Sequence, residues 1–332
     1  SGWWSDRRPR RKPLVVLGYA LAALARPLVA FSRSPLQVLA IRLTDRTGKG
    51  IRTSPRDALI ADSVDPSIRG RAYGFHRAAD HAGAVLGPLL AFLLLQMAHL
   101  PLRRIFLWTA VPGALSVLLL LYGLREVPRA APAQPIEGGA KGPAETAPLG
   151  GRFWAFLGVL GIFTLGNSSD AFLLLRAGQL GVAPALVPIL WAALHVVKSV
   201  SSTPAGALSD RLGRKPLLVA GWVLYAAVYW ALGQATAAWQ VWVLFAVYGI
   251  HFGLTEGTEK ALVADLVPAA RRGAAFGWYN LALGLGALPA SLLFGEIADR
   301  SGARTAFSFG GAMALLAAVG IVCVLPRRRR AA

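Results

Sequence analysis

ALIADSVDPSIRGRAYG, residues 58–74, returns 203 residues later as ALVADLVPAARRGAAFG, residues 261–277, with nine identities in 17 positions. Chance gives about one or two even in an Ala-rich chain, so the segment marks an internal repeat. With a one-residue slip, the same register lays Ser5, Asp6, Arg7 and Lys12, Pro13, Leu14 on Ser209, Asp210, Arg211 and Lys215, Pro216, Leu217. The chain reads as two copies of one unit. The second copy has apolar runs at 153–176 and 184–205 ahead of its Ser-Asp-Arg element, whereas the first starts almost at that element. That asymmetry predicts two further helices, about 50 residues, ahead of Ser1 and twelve in the complete arrangement.

Of the 332 residues, 55% are apolar and 15% charged, with a mean hydropathy of +0.52. This balance excludes a water-soluble surface. Apolar runs of bilayer length occupy 14–32, 36–64, 71–97, 102–124, 153–176, 184–205, 216–235, 239–266, 273–298 and 304–325. Each approaches the ~20 residues that an α-helix needs to cross ~30 Å of hydrocarbon. The expected fold is therefore an all-α polytopic membrane protein with about ten spans of twelve. Continuous runs such as 89–95 exclude a membrane β-barrel, whose strands alternate.

The net charge of +19 does not signal nucleic-acid binding, because the basic residues punctuate the apolar runs. The stretches 1–13, 63–71, 125–152, 206–215, 267–272 and 326–332 hold 20 Lys and Arg, against six in the opposite loops. The positive-inside rule places that first set in the cytoplasm of a plasma (inner) membrane protein. The expected organisation is a helical N-terminal half over 1–125 and a polar cytoplasmic linker over 126–152. A six-helix half over 153–326 and a basic tail over 327–332 complete it. A monomer is expected, with the lipid bilayer, protons and a small solute as its partners.

Two pseudo-symmetric halves, a central linker and the segment GALSDRLGRK (206–215) resemble the major facilitator superfamily of secondary transporters. The resemblance covers the chain and implies two helical halves that rock about a central solute site. It assigns gating roles to Asp210, Arg211, Gly213 and Arg214; the first copy, GWWSDRRPRRK (2–12), departs by having Pro9 or Arg10 where the later glycine belongs. GAVLGP (83–88) resembles the glycine-proline motif of members that export solute against protons, which implies roles for Gly83, Gly87 and Pro88. Small residues four apart let helices pack closely, and a proline can bend the helix.

The segment IRLTDRTGKGIRTSPRDALIAD (41–62) must cross the bilayer while carrying Arg42, Asp45, Arg46, Lys49, Arg52, Arg56, Asp57 and Asp62. Each ion facing lipid at mid-depth costs about 2.5–3.5 kcal/mol, so they must line water or pair. Asp45, Lys49, Arg52 and Arg56 share a helical face, expected to be wet and turned toward the opposite half. The resemblance matches Arg42 to an arginine that assists proton transfer. Asp80, Asp170, Glu256 and Glu259 are candidate compensating acids, with Asp170 and Glu256 as the protonatable ones. Asp62, Arg69, Asp265 and Arg272, matched in both repeats, fit locks or loop anchors. Whether each charge is a lock or a solute or proton site stays open.

His76, His81, His195 and His251 show no i, i+3 or i, i+4 pair, so they read as isolated packing residues and no metal site is expected. No P-loop, G-x-S-x-G elbow or H-E-x-x-H helix occurs. No cofactor and no enzymatic activity are expected. Proton-coupled export is the leading expectation. An importer of an anionic or metal-chelate solute, and a transport-inactive scaffold, are the alternatives.

Overall fold

The computed structural model describes residues 1–126 and 148–325. Most of the expected linker and all of the expected tail lie outside the described residues. The helices are α1 (Gly2–Asp6), α2 (Lys12–Leu28), α3 (Pro35–Ser63), α4 (Arg69–Gln96), α5 (Leu102–Trp108), α6 (Ala110–Leu118) and α7 (Gly151–Gly166). They continue as α8 (Asp170–Gln179), α9 (Val187–Leu212), α10 (Arg214–Gln234), α11 (Ala238–Leu266) and α12 (Arg272–Val324). Gly302, at φ 83°, breaks α12 into two helices.

Among the described residues, eight helical stretches are long and apolar enough to cross a membrane, the last being the double stretch Ala269–Val324. α3 is not among them. At 29 residues it would reach about 44 Å, ample for a bilayer, but its charges remove the apolar character.

The chain divides into two compact units, each drawing on both sequence halves. Unit 1 holds 1–63, 86–149 and 267–278; unit 2 holds 64–85, 150–266 and 279–332. In unit 1, α2 lies on α3 through two glycines. A Cβ on Gly18 would collide with the Gly48 carbonyl and with Arg52, and one on Gly48 would meet the Gly18 carbonyl. Unit 2 packs the start of α4 against α9 in the same manner. A Cβ on Gly70 would strike the Gly206 carbonyl, one on Gly74 the Ser202 carbonyl, and one on Gly206 the Gly70 carbonyl. Gly70 and Gly74 on one helix and Ser202 and Gly206 on the other are each four apart, the spacing that brings small residues onto one face.

The remaining core of unit 2 is aromatic. Tyr225 stacks on Tyr229 at 4.0 Å and Phe163 on Trp222 at 5.1 Å. The single helix expected over 153–176 is two helices, because Asn167, Ser168 and Ser169 interrupt it. Short polar side chains compete with the helical backbone for hydrogen bonds and favour caps. Ser169 Oγ accepts from Ala171 N–H (3.3 Å), and the Gly166 carbonyl freed by the break accepts from Tyr225 Oη (3.0 Å). The break places Asp170 at the positive end of α8.

Candidate functional site

Each unit carries one copy of the same charge network. In unit 1 the Asp6 carboxylate accepts from the backbone N–H groups of Gly273 (2.9 Å) and Ala274 (2.7 Å) and from Arg11 Nη2 (2.8 Å). Arg11 Nε lies 3.3 Å from Asp62, which Arg272 also engages at 2.7 Å. In unit 2 the Asp210 carboxylate accepts from the N–H groups of Gly70 and Arg71 (both 2.8 Å) and from Arg214. Arg214 then reaches Asp265 at 3.0 Å, and Arg69 reaches it at 2.8 Å. Even the lysines agree: Lys12 Nζ donates to the carbonyls of Leu121 and Leu124, and Lys215 Nζ to those of Val322 and Leu325.

The placement follows from helix electrostatics. Asp6 and Asp210 meet the N-terminal turns of α12 and α4, where free amides and the macrodipole favour an anion. Arg11 is fully buried; burial pulls its guanidinium pKa down, while Asp6 and Asp62 hold it up. At the mouth of α4, Asp65 accepts from the Ser67 N–H (2.8 Å) and hydroxyl (2.6 Å), which hold its carboxyl below the usual aspartate range.

The departure of the first copy from the sequence motif is absorbed by one extra residue. Gly213, at φ 99°, makes the tight passage from α9 to α10. From Asp6 to Arg11 the chain takes five steps instead of the four from Asp210 to Arg214, and none of those residues adopts positive φ. The network survives because the longer path needs no left-handed residue.

Deeper in unit 2, charges gather inside the apolar helices. Arg77 of α4 grips Glu256 of α11 through Nε (2.7 Å) and Nη2, and reaches Asp80 through Nη1 (3.2 Å). His81 Nε2 lies 2.8 Å from Glu256 Oε2, and His81 Nδ1 lies 3.2 Å from Nδ1 of His195 on α9. One turn further along α9, Lys198 is 4% exposed, its Nζ 3.3 Å from the Phe252 ring centre and 5.9 Å from those of Trp191 and Tyr248. Tyr248 donates to Asp170 (3.0 Å), and Tyr279 donates to Glu259 (2.8 Å). Unit 2 thus joins Asp80 and Glu256 through Arg77. A separate open cleft of about 1430 Å³ borders Asp210, Arg214 and Asp265 at the loop end, away from these deeper charges.

The charged face of α3 is arranged differently from the expectation. Asp45 pairs with Arg26 of α2 at 3.0 Å, and the Arg52 guanidinium lies 3.9 Å over the Tyr19 ring, also on α2. These two therefore turn toward a neighbour in their own unit, since the Gly18 and Gly48 contact brings α2 within reach. Arg56 bonds Asp57 on its own helix (2.9 Å), while Arg42, Arg46 and Lys49 are exposed.

Two further expectations are corrected. Gly83 and Gly87 do not mediate close packing, because a Cβ on either would meet nothing within 4 Å, and α4 runs unbroken through Pro88. His81 and His195 are not isolated packing residues: helices 114 positions apart in sequence bring their rings together. Among the described residues no group of three His, Cys, Asp or Glu could hold a metal ion. Sequence reading left Arg77, His81, His195 and Lys198 outside the site. A lone lysine within the apolar run 184–205 was the legible signal, since such a charge is rarely idle.

The sequence profile of the Major Facilitator Superfamily matches residues 1–197 and again 155–332, so the two matches together cover the chain. An uncharacterized MFS-type transporter of Methanocaldococcus jannaschii is 34% identical over 321 residues, 95% of this chain and 79% of that protein. A multidrug resistance protein, MdtG, of Klebsiella pneumoniae is 31% identical over 174 residues, 50% of this chain and 40% of that one. Among solved structures, the proton:xylose symporter XylE superposes with a TM-score of 0.77 at 18% identity, covering 98% of this chain and 82% of that one. Repeated halves, apolar helices with charges inside them and a profile match along the whole chain agree: this protein belongs to the major facilitator superfamily and is a multi-pass membrane transporter of the secondary type.

Proposed function

We propose that the chain is a proton-coupled transporter that exports its solute by alternating access. The observation that supports this reading best is the ionic cluster of Arg77, Glu256 and His81 inside otherwise apolar helices. Charges at such depth are costly and belong to ion or solute pathways. Asp80, Asp170 and Glu259 extend the pathway within unit 2. The networks of Asp62 with Arg272 and of Asp210, Arg214, Asp265 and Arg69 act as cytoplasmic latches, with Arg211 and Gly213 in the adjoining turn. Export is supported by the similarity to a multidrug resistance protein. The positive-inside count supports a cytoplasmic linker and C-terminus.

A second reading, import of an anionic solute with protons, is favoured by one observation. The Lys198 ammonium is buried against three aromatic rings, a cation placed inside apolar helices. The full chain in proteoliposomes holding a pH-sensitive dye separates the readings. Solutes from a panel of anions, neutral sugars and cationic drugs should collapse an imposed pH gradient when added to the acid-facing or alkaline-facing side, according to direction. Solute movement that is indifferent to the gradient would contradict proton coupling.

A further inference from the structure

We propose that His195 and His81 form a proton relay that delivers protons to Glu256 and thereby loosens its grip on Arg77. This rests on the proton-coupled reading above and names the groups that carry the proton.

The argument starts from donors and acceptors. Glu256 is held by the Arg77 fork and accepts from His81 Nε2, so in the resting arrangement His81 carries its hydrogen on Nε2. A neutral imidazole has one donor and one acceptor, so His81 Nδ1 is then a bare lone pair. It faces Nδ1 of His195 at 3.2 Å, and two lone pairs do not hold at that separation. His195 must therefore be the Nδ1–H tautomer, leaving its Nε2 as an acceptor. The His195 ring is partly exposed whereas His81 is buried at 5%, so His195 is the entrance and His81 the interior station.

A proton arriving at His195 Nε2 makes that ring an imidazolium. Its Nδ1 proton passes along the existing hydrogen bond to His81 Nδ1. His195 is left neutral with hydrogen on Nε2, and His81 becomes the cation. The charge has crossed two rings while no heavy atom has exchanged partners. His81 then passes its Nε2 proton to Glu256 Oε2 and returns to neutrality with hydrogen on Nδ1. One proton enters and one is held, now as a glutamic acid. A neutral carboxyl no longer balances the Arg77 guanidinium, whose remaining anion is Asp80, 3.2 Å from Nη1 and on the same helix. The tie between α4 and α11 is thereby traded for a tie within α4.

The charged and titratable groups around the pair and its immediate partners come from five helices. α4 brings Arg77, with Asp80 and His76 beyond it; α9 brings Lys198; α11 brings Glu256, with Glu259 one turn on; α8 brings Asp170, beside Lys198; and α12 brings Tyr279, beside Glu259.

The test uses the full chain in lipid nanodiscs with [15N]histidine, where only five histidines need assignment. The wild type should show a coupling through the hydrogen bond between the Nδ1 nuclei of His81 and His195, with the two rings titrating as one coupled unit. His81→Gln or His195→Gln should abolish the coupling and move the remaining ring's titration by about one pH unit or more. Absence of the coupling in the wild type, with two independent titrations, would overturn the relay without recourse to any variant. In dye-loaded proteoliposomes, His195→Gln should slow solute-driven proton flux at least about tenfold, equivalent to ~1.4 kcal/mol in barrier. Wild-type-like flux in that variant would overturn the relay and leave proton-coupled transport standing. An absence of proton-linked flux in the wild type would instead sink the proton-coupled reading, and the relay's use with it.

Discussion

Glu256→Leu is expected to destabilise the folded protein by about 3–5 kcal/mol, the usual cost of removing one partner of a buried ion pair. The loss falls on Arg77 and His81 together. Both side chains of the pair are largely covered, at 22% for Arg77 and 21% for Glu256, and Arg77 contributes two of its nitrogens to the same carboxylate. With Glu256 gone, the guanidinium retains only Asp80, whose side chain is 43% exposed and thus a weaker anchor. Introducing Arg77→Leu into the same chain should return most of the stability, because the apolar pair has no ion left to desolvate. A double-mutant cycle in mild denaturant, read by tryptophan fluorescence in bicelles, checks this. A coupling energy under about 0.5 kcal/mol would mean that the pair behaves as a solvated surface bridge.

Asp6→Ala and Asp210→Ala are the second test, with expected losses of about 3–5 kcal/mol each and similar magnitude in the two repeats. Each removes the acceptor of two backbone N–H groups and of one arginine. Asp6→Ala should be the more severe, since Arg11 is wholly buried and would keep one carboxylate, Asp62 at 3.3 Å, beside the Ser5 hydroxyl. Asparagine at either position preserves an acceptor for one amide but loses the charge, so its cost should lie between alanine and wild type. Thermal unfolding of the full chain gives the ranking. If alanine and asparagine prove equivalent to wild type at position 6, the first copy of the motif is inert.

Much of this was legible in the sequence. The ten helical passages, the two repeats and the Asp62, Arg69, Asp265 and Arg272 set all follow from periodicity and the 203-residue register, because repeats preserve whatever packing and pairing each copy needs. The NSSD interruption was visible as composition, though its consequence, a broken helix with Tyr225 capping the freed carbonyl, depends on a partner 59 positions away. Asp80 lies within reach of Arg77 by helical spacing, but the cross-helix contacts of this cluster were not legible. Arg77 meets Glu256 across 179 positions, Glu256 meets His81 across 175, and His81 meets His195 across 114, which no local spacing encodes. The α3 charges misled for a related reason: helical periodicity says which residues share a face, but the Gly18 and Gly48 contact decides what that face meets.

The ends of α4 and α9, held together by the Asp210 network, are expected to separate during the transport cycle. Paired spin labels at Ile68, 45% exposed, and Leu212, 56% exposed, measure it most directly, after the exposed native Cys323 is replaced by serine. Double electron–electron resonance in nanodiscs should resolve two distance populations whose ratio changes between pH 5 and pH 8, roughly the window over which histidine titrates. Adding Asp210→Asn should move the balance toward the longer distance. A single narrow distance, unchanged by pH and by Asp210→Asn, would contradict the account.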